Sequence, residues 1–218
     1  MLPREMVEGM RRSGIVAVLV IDRAEDAVPL ARALGEGGVQ FIELTLRTPA
    51  ALDALRAIRA EMPEMAVGAG TVLTVEQVRE VAASGASFAV APGMNPRVVR
   101  AAQDIGLPFM PGVMTPSDVE QALECGCREL KLFPAEPVGG LKYLKNMAAP
   151  YAHLNLQFVP LGGLSPANAG AYLADPWILA VGGSWIAKRD VIERRDWATI
   201  TKNAKEACAL APADRKAK

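Results

Sequence analysis

Short apolar or alternating runs recur along this chain at 14–20, 39–45, 65–69, 86–91, 107–110, 127–133, 156–161 and 178–182, and each is separated from the next by a more polar stretch. The stretches Ala24–Glu36, Pro49–Glu61, Val75–Ser84, Pro96–Ile105, Pro116–Glu124, Leu141–Ala149 and Pro166–Leu173 space their apolar residues as one face of a helix does. Several open on Thr, Asn or Ser followed by proline, the pattern of an N-cap and a first helical position. Strict alternation of strand and helix predicts parallel strands joined by crossover helices. Eight such units close into a (β/α)8, or TIM, barrel, and 218 residues fall near the low end of the usual size for that α/β fold. The structural alternative is a doubly wound open sheet, but its Gly-x-Gly-x-x-Gly turn after the first strand is absent. Arg4–Arg12 is predicted as a helix capping one mouth of the barrel. No linker or low-complexity tract interrupts the pattern, so residues 1–218 are expected to form a single domain.

Composition narrows the function classes. With 24 acidic and 24 basic residues and 51% hydrophobic content, the chain suggests neither a nucleic-acid nor a membrane partner. No apolar run approaches the ~20 residues of a membrane span, and Met1–Glu5 lacks a signal-peptide core, so a cytoplasmic location is expected. Cys125, Cys127 and Cys208 have no ligand-like spacing and fit a reducing compartment. The sole histidine, His153, rules out a His-rich metal site within one chain and reads as a surface or packing residue. A carboxylate-bound magnesium has no motif behind it, so no metal and no cofactor are expected.

Chemistry gathers at the ends of the predicted strands. Lys131 is the first lysine in the chain and lies in Cys127-Arg128-Glu129-Leu130-Lys131-Leu132-Phe133-Pro134, which alternates like a strand. Side chains of a strand switch faces at each residue, so if Leu130 and Leu132 pack on helices, Lys131 points inward. In general a lysine removed from water parts with its proton more readily, which makes a nucleophilic amine available for imine formation. The other lysines, Lys142, Lys145, Lys188, Lys202, Lys205, Lys216 and Lys218, fall in helical, loop or terminal stretches open to water. In the second strand Ile42, Leu44 and Leu46 share one face, which leaves Glu43, Thr45 and Arg47 on the other. An inward carboxylate, an inward lysine and a nearby arginine are a combination that purely structural cores seldom hold. The plainer reading of Lys131 is the interior half of a structural ion pair.

Glycine marks the remaining strand ends: Val67-Gly68-Ala69-Gly70-Thr71, Ala91-Pro92-Gly93 and Pro111-Gly112, then Gly162-Gly163-Leu164-Ser165-Pro166 and Gly182-Gly183-Ser184-Trp185. Barrels commonly bind phosphate on backbone N–H groups after the seventh and eighth strands, where the last two pairs fall. Each Gly-Gly alone would read as a tight turn.

The chain resembles the 2-keto-3-deoxy-6-phosphogluconate (KDPG) aldolases, grouped with the 4-hydroxy-2-oxoglutarate (KHG) aldolases, from about residue 14 to about residue 206. The resemblance is carried by Glu43-Leu44-Thr45-Leu46-Arg47-Thr48, Gly68-Ala69-Gly70-Thr71-Val72-Leu73, Ala91-Pro92-Gly93, Lys131-Leu132-Phe133-Pro134-Ala135-Glu136, Gly162-Gly163-Leu164-Ser165-Pro166-Ala167-Asn168 and Gly182-Gly183-Ser184-Trp185. It implies a cofactor-free class I aldolase in which Lys131 forms the Schiff base and Glu43 is the general acid/base. It further implies that Arg47 and Thr71 hold the carboxylate of the pyruvyl half, that Pro92 and Phe133 shape the pocket beside the imine, and that Gly162, Gly163, Gly182, Gly183 and Ser184 hold the phosphate. The implied partners are pyruvate and a phosphorylated 2-keto-3-deoxy sugar acid, and the implied assembly is a homotrimer. One position departs: similar aldolases often carry threonine where this chain has Leu161, and leucine offers the sugar chain no hydroxyl. The gluconate-derived substrate, its C4 epimer from galactonate and the shorter hydroxy-oxoglutarate therefore stay open. So do two other classes, a phosphate-binding barrel isomerase or transferase and a non-catalytic metabolite-binding barrel.

Overall fold

Every strand pairing among the described residues is parallel. The computed structural model describes residues 1–216, without the side chains of Asp214 and Lys216; the expectations for Lys216 as a side chain and for Lys218 lie outside that description. The chain runs α1 (Arg4–Ser13), β1 (Ile15–Leu19), α2 (Ala27–Glu36), β2 (Phe41–Thr45), α3 (Ala51–Glu61), β3 (Ala66–Gly70), α4 (Val75–Ala83), β4 (Phe88–Val90) and α5 (Pro96–Asp104). It continues through β5 (Phe109–Met110), β6 (Gly112–Val113), α6 (Pro116–Glu124), β7 (Glu129–Leu132), α7 (Gly140–Ala148), β8 (Gln157–Pro160), α8 (Pro166–Leu173), β9 (Val181–Gly183), α9 (Arg189–Glu193), α10 (Trp197–Ala209) and α11 (Ala213–Lys216).

The strands follow the order β5-β4-β3-β2-β1-β9 on one side and β6-β7-β8 on the other. Two junctions close the ring. Phe158 in β8 bridges Ile178, and Leu179 N–H donates to Phe158 O at 2.8 Å just before β9. At the other junction β5 and β6 are two pieces of one barrel strand, where a single run at 107–110 was expected. Proline 111 separates them because it has no N–H to place in a ladder; its carbonyl accepts from Lys131 N–H at 2.9 Å.

Two apolar layers result. Outward residues such as Ile15, Ala17, Ile42, Leu44, Val67, Leu130 and Leu132 pack with the helices, while Val16, Phe41, Phe88, Val90, Met110 and Val159 fill the barrel. Helix α1 closes the N-terminal mouth as expected: Met6, Val7 and the fully buried Met10 join that inner cluster. It stops at Gly14, whose left-handed φ of 67° lets its N–H reach Met10 O. Several of the predicted helix starts rest on real caps. Thr74 with Gln77 and Thr115 with Asp118 form capping boxes, and Asn95 caps α5 ahead of Pro96.

The sequence pattern did not reveal α9 or α10. Helix α10 starts at the Asp196 cap and lies against α2, where Thr201 Oγ1 donates to Ala33 O at 2.9 Å. It follows the last strand and completes the outer layer of helices beside α2.

Candidate active site

Strand faces decide what enters the barrel. Leu130 and Leu132 are fully buried against the helical layer, and burying a leucine stabilises by about 2 kcal/mol relative to leaving it exposed. That preference pins β7 in a register that sends Lys131 inward. On β2 the same logic, with Ile42 and Leu44 outward, sends Glu43 and Thr45 inward. The two charged groups meet: Lys131 Nζ donates to Glu43 Oε1 at 2.9 Å, with side-chain exposures of 6% and 2%.

This pair needs room, and glycine provides it. A Cβ on Gly70 would sit 2.1 Å from Glu43 Oε1, so any other residue there would displace the carboxylate. Thr45 is held beside it by its Oγ1–H, which donates to Leu19 O at 3.0 Å. The Phe133 ring centre lies 5.5 Å from Lys131 Nζ, a distance at which the ring face attracts an ammonium.

Above the pair opens a cavity of about 200 Å³ at the C-terminal ends of the strands. Of the residues expected in the site, Glu43, Arg47, Thr71, Pro92, Lys131, Phe133, Leu161, Gly162, Gly163, Gly182 and Ser184 all line it. Gly183 does not. Its Cα faces the Trp185 ring, to which a Cβ would come within 2.3 Å, because alternation along β9 turns it away from the face that Gly182 presents. Val18, Val20, Thr45 and Leu164 complete the lining. Thr45 was legible as an inward strand residue; the valines and Leu164 carry no chemical signal that would separate them from core.

The cavity is polarised. Arg47 stands exposed at the mouth and its guanidinium makes no hydrogen bond or ion pair among the described residues. Thr71, on the wall, has φ 60°. A β-branched residue in the left-handed region costs on the order of 1–3 kcal/mol, and such strain collects where a side chain must be aimed. Gly162 and Gly163 carry φ of 93° and 83°, a turn that L side chains rarely follow and that exposes successive backbone groups. Leu161 packs over Gly182, where a Cβ would lie 2.3 Å from its Cγ. Chemically the arrangement offers an amine, a carboxylate within proton-transfer distance, a free guanidinium and a backbone turn suited to an anion.

Away from the cavity the other titratable candidates are unremarkable for catalysis. His153 is exposed, as are Lys142, Lys145, Lys188, Lys202 and Lys205. Cys127 is buried, and burial pushes its thiol pKa up to about 11. Among the described residues no group of three or more His, Cys, Asp or Glu side chains could hold a metal, and no helix is long and apolar enough to cross a membrane.

Comparison with known proteins gives this geometry its context. The family model for KDPG and KHG aldolase matches residues 6–203. The KHG/KDPG aldolase of Escherichia coli (strain K12) is 46% identical over 193 residues, 88% of this chain and 90% of that protein. Among solved structures, the 2-keto-3-deoxy-6-phosphogluconate aldolase of Zymomonas mobilis with 3-phosphoglycerate is 41% identical, with a TM-score of 0.87 and 96% of each chain covered. The KDPG aldolase of Legionella pneumophila, with pyruvate captured as a covalent carbinolamine intermediate, is 36% identical with the same TM-score, covering 92% of this chain and 97% of that one. With the match running through both strands of the lysine–glutamate pair and every cavity-lining loop, the chain belongs to the KDPG and KHG aldolase family.

Proposed function

We propose that this protein is a class I aldolase that cleaves 2-keto-3-deoxy-6-phosphogluconate to pyruvate and glyceraldehyde 3-phosphate, and 4-hydroxy-2-oxoglutarate to pyruvate and glyoxylate. The observation that carries the reading is the buried Lys131–Glu43 contact of 2.9 Å at the floor of the cavity. Lys131 Nζ attacks the C2 ketone of the substrate. Loss of water from the carbinolamine leaves a protonated imine, which accepts the electron pair of the breaking C3–C4 bond. Glu43 carries protons during dehydration and takes the C4 hydroxyl proton through a water, so the aldehyde leaves and an enamine of pyruvate remains. Protonation at C3 and hydrolysis of the imine return pyruvate and the free amine.

The cavity walls divide the substrate. Arg47 and Thr71 hold the carboxylate, Pro92 and Phe133 flank the imine, and Gly162, Gly163, Gly182 and Ser184 receive the phosphate. Support for the anion end is the Gly162–Gly163 turn with its two positive φ angles. The reading includes a homotrimer acting in the cytoplasm as a single domain over the whole chain; sedimentation in solution checks the subunit count. A barrel isomerase or transferase would explain the glycine turns but leaves the buried pair without a use, and isolating two charges from water is costly when nothing exploits them.

The test is to incubate the protein with pyruvate and borohydride and map the adduct by peptide mass spectrometry. A single reduced adduct on Lys131 is expected. An adduct on Lys142 or Lys145, or none at all, overturns the imine mechanism.

One residue keeps a second substrate reading open, the C4 epimer derived from galactonate. Leu161 is 4% exposed and presents only methyl groups where the substrate chain passes. Leu161→Thr is expected to change the ratio of kcat/KM between the two C4 epimers severalfold, on the scale of one hydrogen bond, and to leave pyruvate imine formation unaltered. An unchanged ratio shows that stereochemistry is read elsewhere.

A further inference from the structure

The segment after β7 carries a carboxylate that the proposed mechanism does not use. Glu136 lies outside the cavity, yet it is built into the floor of the turn assigned to phosphate: Ala135 N–H donates to Leu161 O at 2.7 Å and Glu136 N–H to Gly162 O at 3.0 Å. Its side chain runs directly beneath Gly163, where a Cβ would sit 2.6 Å from Glu136 Cβ. The carboxylate end is then taken by Tyr172 of α8, whose hydroxyl donates to Glu136 Oε1 at 2.5 Å. Tyr172 itself is 2% exposed, so its ring is fixed by core packing and the phenol has no freedom to follow a moving partner. Gly140 makes room for this contact, since a Cβ there would lie 2.9 Å from Glu136 Oε1 and 3.2 Å from Tyr172 Oη.

Electrostatics explains why such a clamp is needed. A carboxylate one residue-width from a turn that receives a dianion repels it unless the charge is drawn away and held. The Tyr172 hydroxyl does this with a charge-assisted hydrogen bond, and the first turn of α7, at Gly140, adds the positive end of a helix dipole. Burial and the neighbouring Glu136 both raise the Tyr172 pKa, so the phenol keeps the proton it donates.

We infer that Glu136 and Tyr172 are a pair of positioning residues that hold the Gly162–Gly163 turn in its anion-receiving shape and keep the Glu136 charge off the substrate phosphate. The inference rests on the aldolase reading above, and it extends that reading to two residues that touch neither substrate nor Lys131. It distinguishes the pair from ordinary packing by demanding an effect on one end of the substrate only.

The experiment measures kcat and KM for 2-keto-3-deoxy-6-phosphogluconate and for its dephospho analogue in wild type, Tyr172→Phe, Glu136→Ala, the double variant and Glu136→Gln, together with pyruvate trapping by borohydride. Tyr172→Phe and Glu136→Ala are each expected to lower kcat/KM for the phosphorylated substrate about tenfold, through KM, the scale of one charge-assisted hydrogen bond. Turnover of the dephospho analogue and trapping on Lys131 stay at wild-type levels. The double variant loses no more than either single one, because both remove the same contact. Glu136→Gln, which keeps an acceptor for the phenol, rescues most of the phosphate preference. Equal losses on both substrates, additive losses, or full phosphate preference in both single variants overturns the pair while leaving the aldolase reading intact. A wild-type enzyme with no phosphate preference overturns the inference together with the phosphate site, and absent trapping on Lys131 overturns the aldolase reading itself. Glu136 is exposed, so Glu136→Ala reports on the inference even if Tyr172→Phe perturbs the core.

Discussion

Lys131→Arg is expected to abolish cleavage of the keto-deoxy sugar acid, with kcat reduced on the order of 10⁶-fold, the scale seen when a covalent nucleophile is removed. The substitution separates charge from nucleophilicity. Arginine preserves a cation opposite Glu43, so the buried carboxylate keeps a partner and the barrel keeps its fold. A guanidinium stays protonated at any working pH and has no lone pair to offer a ketone. Lys131→Ala would give a less interpretable loss, because stripping one member of a buried ion pair typically destabilises by about 3–5 kcal/mol. The measurement pairs steady-state cleavage with borohydride trapping. Both signals vanish while thermal stability changes by a few degrees at most. Cleavage within about 100-fold of wild type would mean that another amine carries the imine.

Much of this was legible from residue periodicity because the barrel demands it. The strands are buried on both faces, so the apolar runs at 14–20 and 39–45 stand out, and several helices open on a side-chain cap that sequence displays directly, as Thr115-Pro116 does. The parts that escaped have physical reasons. Pro111 divides the fifth strand, and the apolar run ends there at Met110, although Val113 beyond the gap is buried as well, because the two short pieces are one strand only through their neighbours in the barrel. Helix α10 buries Ile200, Ala204 and Ala207, and its mostly small buried residues give a weaker stripe than leucines do.

The site divides in the same way. Lys131 and Glu43 were readable because charged residues on an inward strand face violate the rule that charges stay in water. Their contact was not, since 88 residues separate them and only closure of the barrel makes β2 and β7 face each other. Gly183 is the converse case. A Gly-Gly pair looks symmetrical in sequence, but strand alternation gives only one of its two residues to the cavity, and here that is Gly182. Leu164, Val18 and Val20 belong to the cavity by position alone. Tyr172 and Glu136 could not be paired from sequence, because helix packing brings a phenol from α8 to a loop 36 positions earlier.

Glu43→Gln is expected to lower kcat for cleavage by roughly 10²–10⁴-fold, the usual contribution of a general acid/base, while pyruvate still binds and still forms an adduct slowly on Lys131. Glutamine keeps the shape that Gly70 makes room for and can still accept from Lys131 through its carbonyl. It cannot take the C4 hydroxyl proton. The loss should therefore fall in kcat, because the missing interaction is one made as the C3–C4 bond breaks. Arg47→Ala supplies the contrast: its guanidinium sits at the exposed mouth, just past the end of β2, and removing it should raise KM for every 2-oxo acid about tenfold or more, with kcat changed little. The two variants thus separate along the axis of kcat against KM. If Glu43→Gln turned over at the wild-type rate, the carboxylate would be a structural counter-charge for Lys131, and proton transfer at C4 would have to come from Thr45 or from water in the cavity.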